Sequence, residues 1–486
     1  MFDTLAATVP QDKDLPLRAW WIDVLTRVLN GTIYSGLMYE FREEQDAQKK
    51  YIPIHSRKPS VQTGLIRTVV DDSVSLLFSE GHFPSIQCED DGVKDALSAF
   101  TKDSKLNLAM IDAATRGSVG SVAIVVRFLS KRVFLDVMPT GYLTPTWDPK
   151  EPDKLQKVTE LRKVTGKDLA AAGYGVKADS TWYWFQREWD STAETWYQPR
   201  KVNEKDEIKR TPVVDAERTV QHNLKFVPVV WVKNLPGGNG IDGEATFGIE
   251  AINTVIEADY QLSQAGRGLK YSQEPTLVIK DSSDNDGSPI VRSAANAISV
   301  SEKGDAKLLE INGTAAEAVL AYVQRLREFA LERMHGNRSN ADKLSAAQSG
   351  RALELMHQAL IWLADKLRSS YGEGALLDVY RMVIAGSAVY PLTIDGVAYG
   401  KLATAKPISL KWPAWFSPTA DDIQTLSTAL ATLIRVGALS RETAIKAIAA
   451  MFDIEDVKAE QALIDAERKA LLAEMPEAQT KVAVTE

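Results

Sequence analysis

Chemistry near neutral pH usually calls for a histidine, a thiolate or a pair of carboxylates. The chain has five histidines, His55, His82, His222, His335 and His357. None stands in an H-E-x-x-H, H-x-E or G-x-S-x-G setting, the spacings that place a base beside a metal or a nucleophile. Each therefore reads as a packing or surface residue. The single cysteine, Cys88, excludes an intrachain disulfide and a cysteine-based zinc cluster. It is expected as an inert buried thiol. Asp71 and Asp72 are adjacent carboxylates, but neighbours on a helix diverge, so a solvated helix face is expected. The 65 acidic residues leave a di-carboxylate metal site open in principle.

The run PGGNGIDG (236–243) is the nearest thing to a phosphate cradle. It lacks the Lys-Ser/Thr of a P-loop, and no GxGxxG follows a strand, so a flexible connection is expected. Trp182, Trp184, Trp189 and Trp196 resemble a stacking platform for single-stranded nucleic acid. Such platforms lie in basic grooves, whereas Glu188, Asp190 and Glu194 are interleaved here. Trp182 and Trp184, two residues apart, are instead expected to share a sheet core. LIRVGALSRETAIKAI has the outline of a helix-turn-helix, yet its second helix offers Arg441 and Lys446 among Ala and Ile, so a packing hairpin is expected. No enzymatic reading survives, and no metal or cofactor is expected.

The elements that would position any site follow from periodicity. The 486 residues exceed one ordinary core, so two or more substructures are expected. Apolar residues at helical spacing mark helices over 17–29 (Trp20, Trp21, Val24, Leu25, Val28) and 61–77, with one or two more over 90–117. FREEQDAQKK (41–50) reads as a solvated helix face. From Gly120 the pattern becomes strand-like: SVAIVVRFL, KRVFLDVMP, LQKVTELRKVTG, TWYWFQREW and ETWYQPRKV, the last two flanking a hairpin at Asp190–Thr192.

After a boundary near 234–243, GIEAINTVIEADYQLSQAGRGLKYSQ is a long helix with Ile249, Ile252, Val255, Ile256 and Leu262 in register. An insert, 274–312, holds three short strand candidates. A T-x-x-E box, Thr314–Glu317, opens a second helix whose stripe is Val319, Tyr322, Val323, Leu326, Phe329 and Ala330. A polar loop, HGNRSNADKLSAAQSG, then feeds RALELMHQALIWLADKLRSSYGEG, a third long helix. Strands VYPLTIDGVAYG and ISLKWPAW follow, expected to return to the N-terminal β region. Three helices after Pro418 and a frayed end complete an α+β chain.

Net charge is −8 and the pI near 5.5. A protein that grips DNA tightly needs a basic footprint, which this composition lacks; a surface that DNA passes without sticking does not. The chain has neither an 18-residue apolar run nor a signal-peptide pattern, so no membrane association is expected.

This order of segments resembles the portal proteins of tailed bacteriophages, of the type found in long non-contractile-tailed phages and prophages. The likeness rests on TGLIRTVVDDSVSLLFSEGHFP, on the Gly-rich lead into GIEAINTVIEADYQLSQ, and on SGRALELMHQALIWLADKLR after a polar loop. It spans roughly 20–470. The resemblance implies a ring of usually twelve subunits at one capsid vertex of the virion, assembled in the host cytoplasm. It implies a wing over 1–244 and 351–416, stem helices over 245–272 and 314–335, a β-containing clip over 273–313, a channel loop over 336–350, a helical crown over 417–475 and a flexible tail. Arg338, Asn340, Lys343 and Gln348 would face double-stranded DNA in the channel. Asp281, Asp284, Asn285 and Asp286 of the clip would meet the terminase large subunit and the head-completion adaptor; the major capsid and scaffolding proteins are further implied partners. A tail or baseplate adaptor, or a metal-dependent enzyme with an unrecognised di-carboxylate site, are the alternatives.

Overall fold

A computed structural model of the chain describes residues 1–129, 132–202, 211–273, 276–282, 300–309, 314–336, 354–355, 357–394, 396–402, 406–416, 420–449, 452, 454 and 457–474. Helices and sheets mix as an α+β chain requires. Two compact units result: Met1–Asp71 with Ala113–Val125 and Val137–Gly336, and Asp72–Asp112 with Val126–Asp136 and Asn337–Glu486.

In the first unit, β-branched and aromatic residues build a six-stranded antiparallel sheet. Its order is Val220–Gln221, Ala193–Trp196, Trp182–Trp189, Leu155–Thr165, Leu143–Trp147, and Arg200–Lys201 pairs with the central Trp182–Trp189 strand. Asp190 makes the predicted hairpin by accepting the N–H of Thr192 (2.6 Å) and of Ala193 (2.8 Å), an Asx turn. Val229–Lys233 pairs antiparallel with Ser121–Val125. One core joins Ala123, Val125, Leu143, Val158, Trp189, Val229 and Trp231; another joins Val164, Leu169, Tyr174, Tyr183 and Phe185. Both cores cover the face of the Trp182–Trp189 strand that carries Tyr183, Phe185 and Trp189. Trp184 is 2% exposed, but Trp182 is 52% exposed, so the two do not share a core. Trp182 is the first residue of its strand, where the sheet's cover has ended.

Three further expectations for this unit are corrected. Residues 41–50 are not helical. Phe41 is buried, Tyr39–Glu40 pairs in parallel with Arg57–Lys58, and Asp46 accepts from Gln48 N and Lys50 N, both at 2.9 Å. A charged run without an apolar stripe has nothing to hold a helix, and an Asp side chain offers its backbone a turn instead. The helix expected from Val61 starts at Leu65, after Gly64 in the left-handed region at φ +62°. The Gly-rich 236–243 run is a packed turn. Gly237, Gly238 and Gly240 have positive φ, and a Cβ on Gly243 would stand 2.5 Å from the Leu235 carbonyl.

In the second unit the third long helix is α-helical over Gln358–Leu367, runs as a π-helix over Arg368–Leu376 and is α-helical again over Leu377–Ser387. Within it Gly372 lies against the Trp412 ring, which a Cβ at this position would strike. Arg368 lies over the Trp415 ring (3.2 Å to its centroid) and near Trp412 (4.7 Å). Burial lowers its pKa to about 10. The predicted returning strands pair differently from expectation. Leu392–Ile394 pairs with Val397–Gly400, and Ser409–Lys411 pairs with the short Ser85–Gln87 strand. Cys88, next to that strand, is half-buried rather than buried. The 90–117 region is two helices, Asp91–Asp103 and Leu106–Gly117, broken where Lys105 has φ 50°. The helices Ala420–Arg435, Arg441–Ala449 and Val457–Glu474 match the three predicted, with Gly437 at φ +70° ending the first.

Candidate functional site

The helices Ile249–Gln273 and Thr314–Arg333 pack on each other along their length. Between them Thr276–Ser282 and Val300–Leu309 form one antiparallel pair, from Thr276↔Leu309 to Ser282↔Val300. The insert's described strands are therefore two, the second spanning Gly304-Asp305 without interruption, and the register shifts between Lys280 and Ser282. Because Thr276 faces Leu309, the first helix ends where the second begins, and the two helices run antiparallel.

The first helix is tied to the chain's N-terminal segment by polar groups on its buried side. Asp259, 3% exposed, accepts the Tyr34 hydroxyl (2.8 Å) and the Thr63 N–H (2.7 Å). Ser263 Oγ accepts from Val61 N at 3.0 Å, and the Tyr260 hydroxyl donates to the carbonyl of Arg57 (3.0 Å). Burial raises the Asp259 carboxyl above its ordinary value, opposed by the hydrogen bonds from Thr63 and Tyr34. Burial and the Asp259 charge push the Tyr34 phenol up, and burial lifts Tyr260 to about 12. The sequence carried a signal for this tether: Asp259 continues the line of Ile252, Val255 and Ile256, and a carboxylate on an apolar stripe needs a partner.

The second helix buries Leu326, Ala330 and Leu331, with Met334 buried just beyond its end, while Leu320, Tyr322 and Phe329 of its apolar set stay about half exposed. Tyr322 and Phe329, expected within the packed stripe, are outside it. A groove of about 250 Å³ lies beside the helix pair, lined by Thr63, Leu65, Leu262, Val323, Leu326 and Arg327 among others.

Of the residues expected to act, Arg338, Asn340, Lys343 and Gln348 lie outside the described residues, as do Asp284, Asn285 and Asp286. Asp281 is on the Thr276–Ser282 strand, at its register shift. The histidines have separate local roles. His82 bridges the Ser79 hydroxyl (2.9 Å) and the Trp415 carbonyl (3.0 Å). A backbone carbonyl on the second ring nitrogen and a serine three residues away describe a helix-end turn rather than an acid–base relay. His55 stands edge-on to Tyr260, and His222 Nδ1 accepts from Leu224 N at 3.2 Å. His335 follows the second helix at φ 55°, and His357 stands immediately before Gln358–Leu367, beside Phe416. Among the described residues no group of three His, Cys, Asp or Glu could hold a metal ion. None of the described helices is long and apolar enough to cross a membrane.

A family profile described as phage portal protein, SPP1 Gp6-like, matches residues 38–471. A solved structure described as the neck of a native GTA particle computed with C12 symmetry is similar at 12% identity and a TM-score of 0.34, covering 80% of this chain and 93% of that one. No curated protein matches the chain.

Proposed function

Because the chain belongs to the phage portal protein family of SPP1 Gp6-like type, we propose that its copies form the ring at one capsid vertex through which double-stranded DNA is packaged, retained and released. The observation that carries this reading is the family match over 38–471, which takes in both units of the fold. The family is structural rather than enzymatic.

The described elements suit the parts. Helices of 25 and 20 residues, about 37 and 30 Å long, are long enough to wall a channel. They are the stem of this reading, and the strand pair between them belongs to the clip. Residues 1–244 and 351–416 are the wing, 336–350 the channel loop and 417–475 the crown. A chain of net charge −8 repels the duplex and limits sticking during passage. Arg338 and Lys343 make transient phosphate contacts, with Asn340 and Gln348 beside them. Asp281, Asp284, Asn285 and Asp286 dock the terminase large subunit and, after packaging, the head-completion adaptor. The major capsid and scaffolding proteins are further partners during assembly in the host cytoplasm.

Electron microscopy of the purified protein tests the ring: a closed particle, twelve-fold in this reading, with a central hole of duplex width is expected. A monomer that stays monomeric with its capsid and scaffolding partners present would overturn it. Deleting 337–348 is expected to leave assembly intact and reduce packaged or retained DNA; unchanged packaging would remove the loop's assigned role.

A further inference from the structure

The helix pair presents two unlike sides. At about 100° per residue, Thr254, Ala258 and Leu262 of the first helix and Val323, Leu326 and Ala330 of the second form the mutual seam. Glu250 and Glu257, seven residues apart on the first helix, lie about a quarter-turn from that seam. Tyr322 and Phe329, also seven apart, lie a quarter-turn from it on the second helix. In an antiparallel pair these two offsets fall on the same side. That side therefore carries two half-exposed aromatic rings beside two carboxylates. Asp259, with its Thr63 partner, and Arg327 turn to the opposite side, where the groove is walled by Thr63, Leu65, Leu262, Val323 and Arg327.

We propose that this aromatic side of one copy seats in the groove of the next copy, with Glu257 facing the next copy's Arg327. The proposal rests on the ring reading above and names the surfaces that join its subunits. Rotation about an axis parallel to the helices leaves every residue at its own height. The groove is lined by Thr254–Leu262 of the first helix and Val323–Ala330 of the second, so in an antiparallel pair the middles of these spans, Ala258 and Leu326–Arg327, stand level, and Glu257 is within about one residue of Arg327. The groove spans Val323–Ala330 of the second helix, the height range of Tyr322 and Phe329. Rings and groove, carboxylate and guanidinium, thus meet at matching levels without any sliding. The two patches are different surfaces of one chain, and such a heterologous contact passes from copy to copy, forming a ring where the rotation closes, rather than stopping at a dimer. Glu257 accepts from Gln261 Nε2 at 2.7 Å, which orients its carboxylate along this side.

Charge reversal tests the pairing on the full-length protein, read by native mass spectrometry. Glu257→Arg and Arg327→Glu are each expected to reduce the assembled fraction about tenfold, and the double reversal to restore most of it. Both positions lie at the surface, and circular dichroism checks that each variant folds. In a Cys88→Ser background, Phe329→Cys with Thr63→Cys is expected to give an oxidised ladder between copies. These residues are on opposite sides of one helix pair, so they cannot join within a copy. Rings that form normally with either single reversal, and no ladder, would overturn this contact while leaving the ring reading intact. A wild-type chain that never assembles overturns both.

Discussion

Arg18 and Asp242, 224 residues apart in sequence, form a two-pronged ion pair: Nε to Oδ2 at 2.5 Å and Nη2 to Oδ1 at 2.6 Å. The same guanidinium donates to the carbonyls of Thr140 (2.7 Å) and Leu143 (3.0 Å), and Ser121 donates to Asp242 (2.5 Å). The pair pins the helix Leu17–Leu29 to the glycine-rich turn that leads into the first long helix. Both side chains are largely buried, at 15% and 11% exposure.

Removing one partner leaves a desolvated charge. Asp242→Ala is expected to destabilise the first unit by about 3–5 kcal/mol. Replacing both residues, Arg18→Met with Asp242→Leu, should cost less than the sum of the single changes. Urea denaturation followed by tryptophan fluorescence measures both; equal and additive losses would contradict the pairing.

Asp259 gives the helix tether a pH dependence of unusual sign. Its carboxyl is raised in the fold, so the folded chain binds this proton more tightly than the unfolded chain, whose value is near 3.8. The favourable contribution is greatest below 3.8 and is lost as pH rises through the higher folded value. Asp259→Asn should therefore flatten the fall in stability between pH 3.8 and that higher folded value, while one amide oxygen still accepts from Thr63 or Tyr34. Denaturant midpoints of wild type and variant across this range provide the comparison, and parallel curves would remove Asp259 as the source.

Gly372 is held against the Trp412 ring within the π-helical segment. Gly372→Ala is expected to cost about 1–3 kcal/mol through overpacking. The loss should shrink when combined with Trp412→Leu, because the obstructing ring is gone. Thermal melts of the two single variants and the double variant read this coupling; strict additivity would place the strain elsewhere.

Trp182 and Trp184 should respond very differently to the same change. Trp184→Ala removes a side chain that is 2% exposed and should cost about 3–5 kcal/mol. Trp182→Ala, at a 52% exposed site, should cost under about 1 kcal/mol. Equal losses in urea midpoint would show that burial does not separate them.

Helices with a sustained apolar period were legible from the sequence alone. Leu17–Leu29, Ile249–Gln273, Thr314–Arg333 and Ala420–Arg435 stand where periodicity, the T-x-x-E box and Gly437 place them. The six-stranded sheet's longer strands and the Asp190 turn were legible too, because β-branched runs and Asx chemistry act within a few residues. Membership of the portal family was equally readable, since segment order is a property of the chain. The expected channel residues, including Arg338 and Lys343, are an inference from that order and lie outside the described residues.

Tertiary structure decided what depends on distant partners. Local pattern cannot tell that the glycine-rich run 236–243 closes around the Asp242–Arg18 pair, that Trp182 outruns its sheet's cover, or that Trp412 packs on a helix 40 residues earlier at Gly372. Nor can it separate Tyr322 and Phe329 from the stripe they share with Val323, Leu326 and Ala330. A helical period says which residues lie near one face, but only the neighbouring helix fixes which of them lose water and which stay exposed.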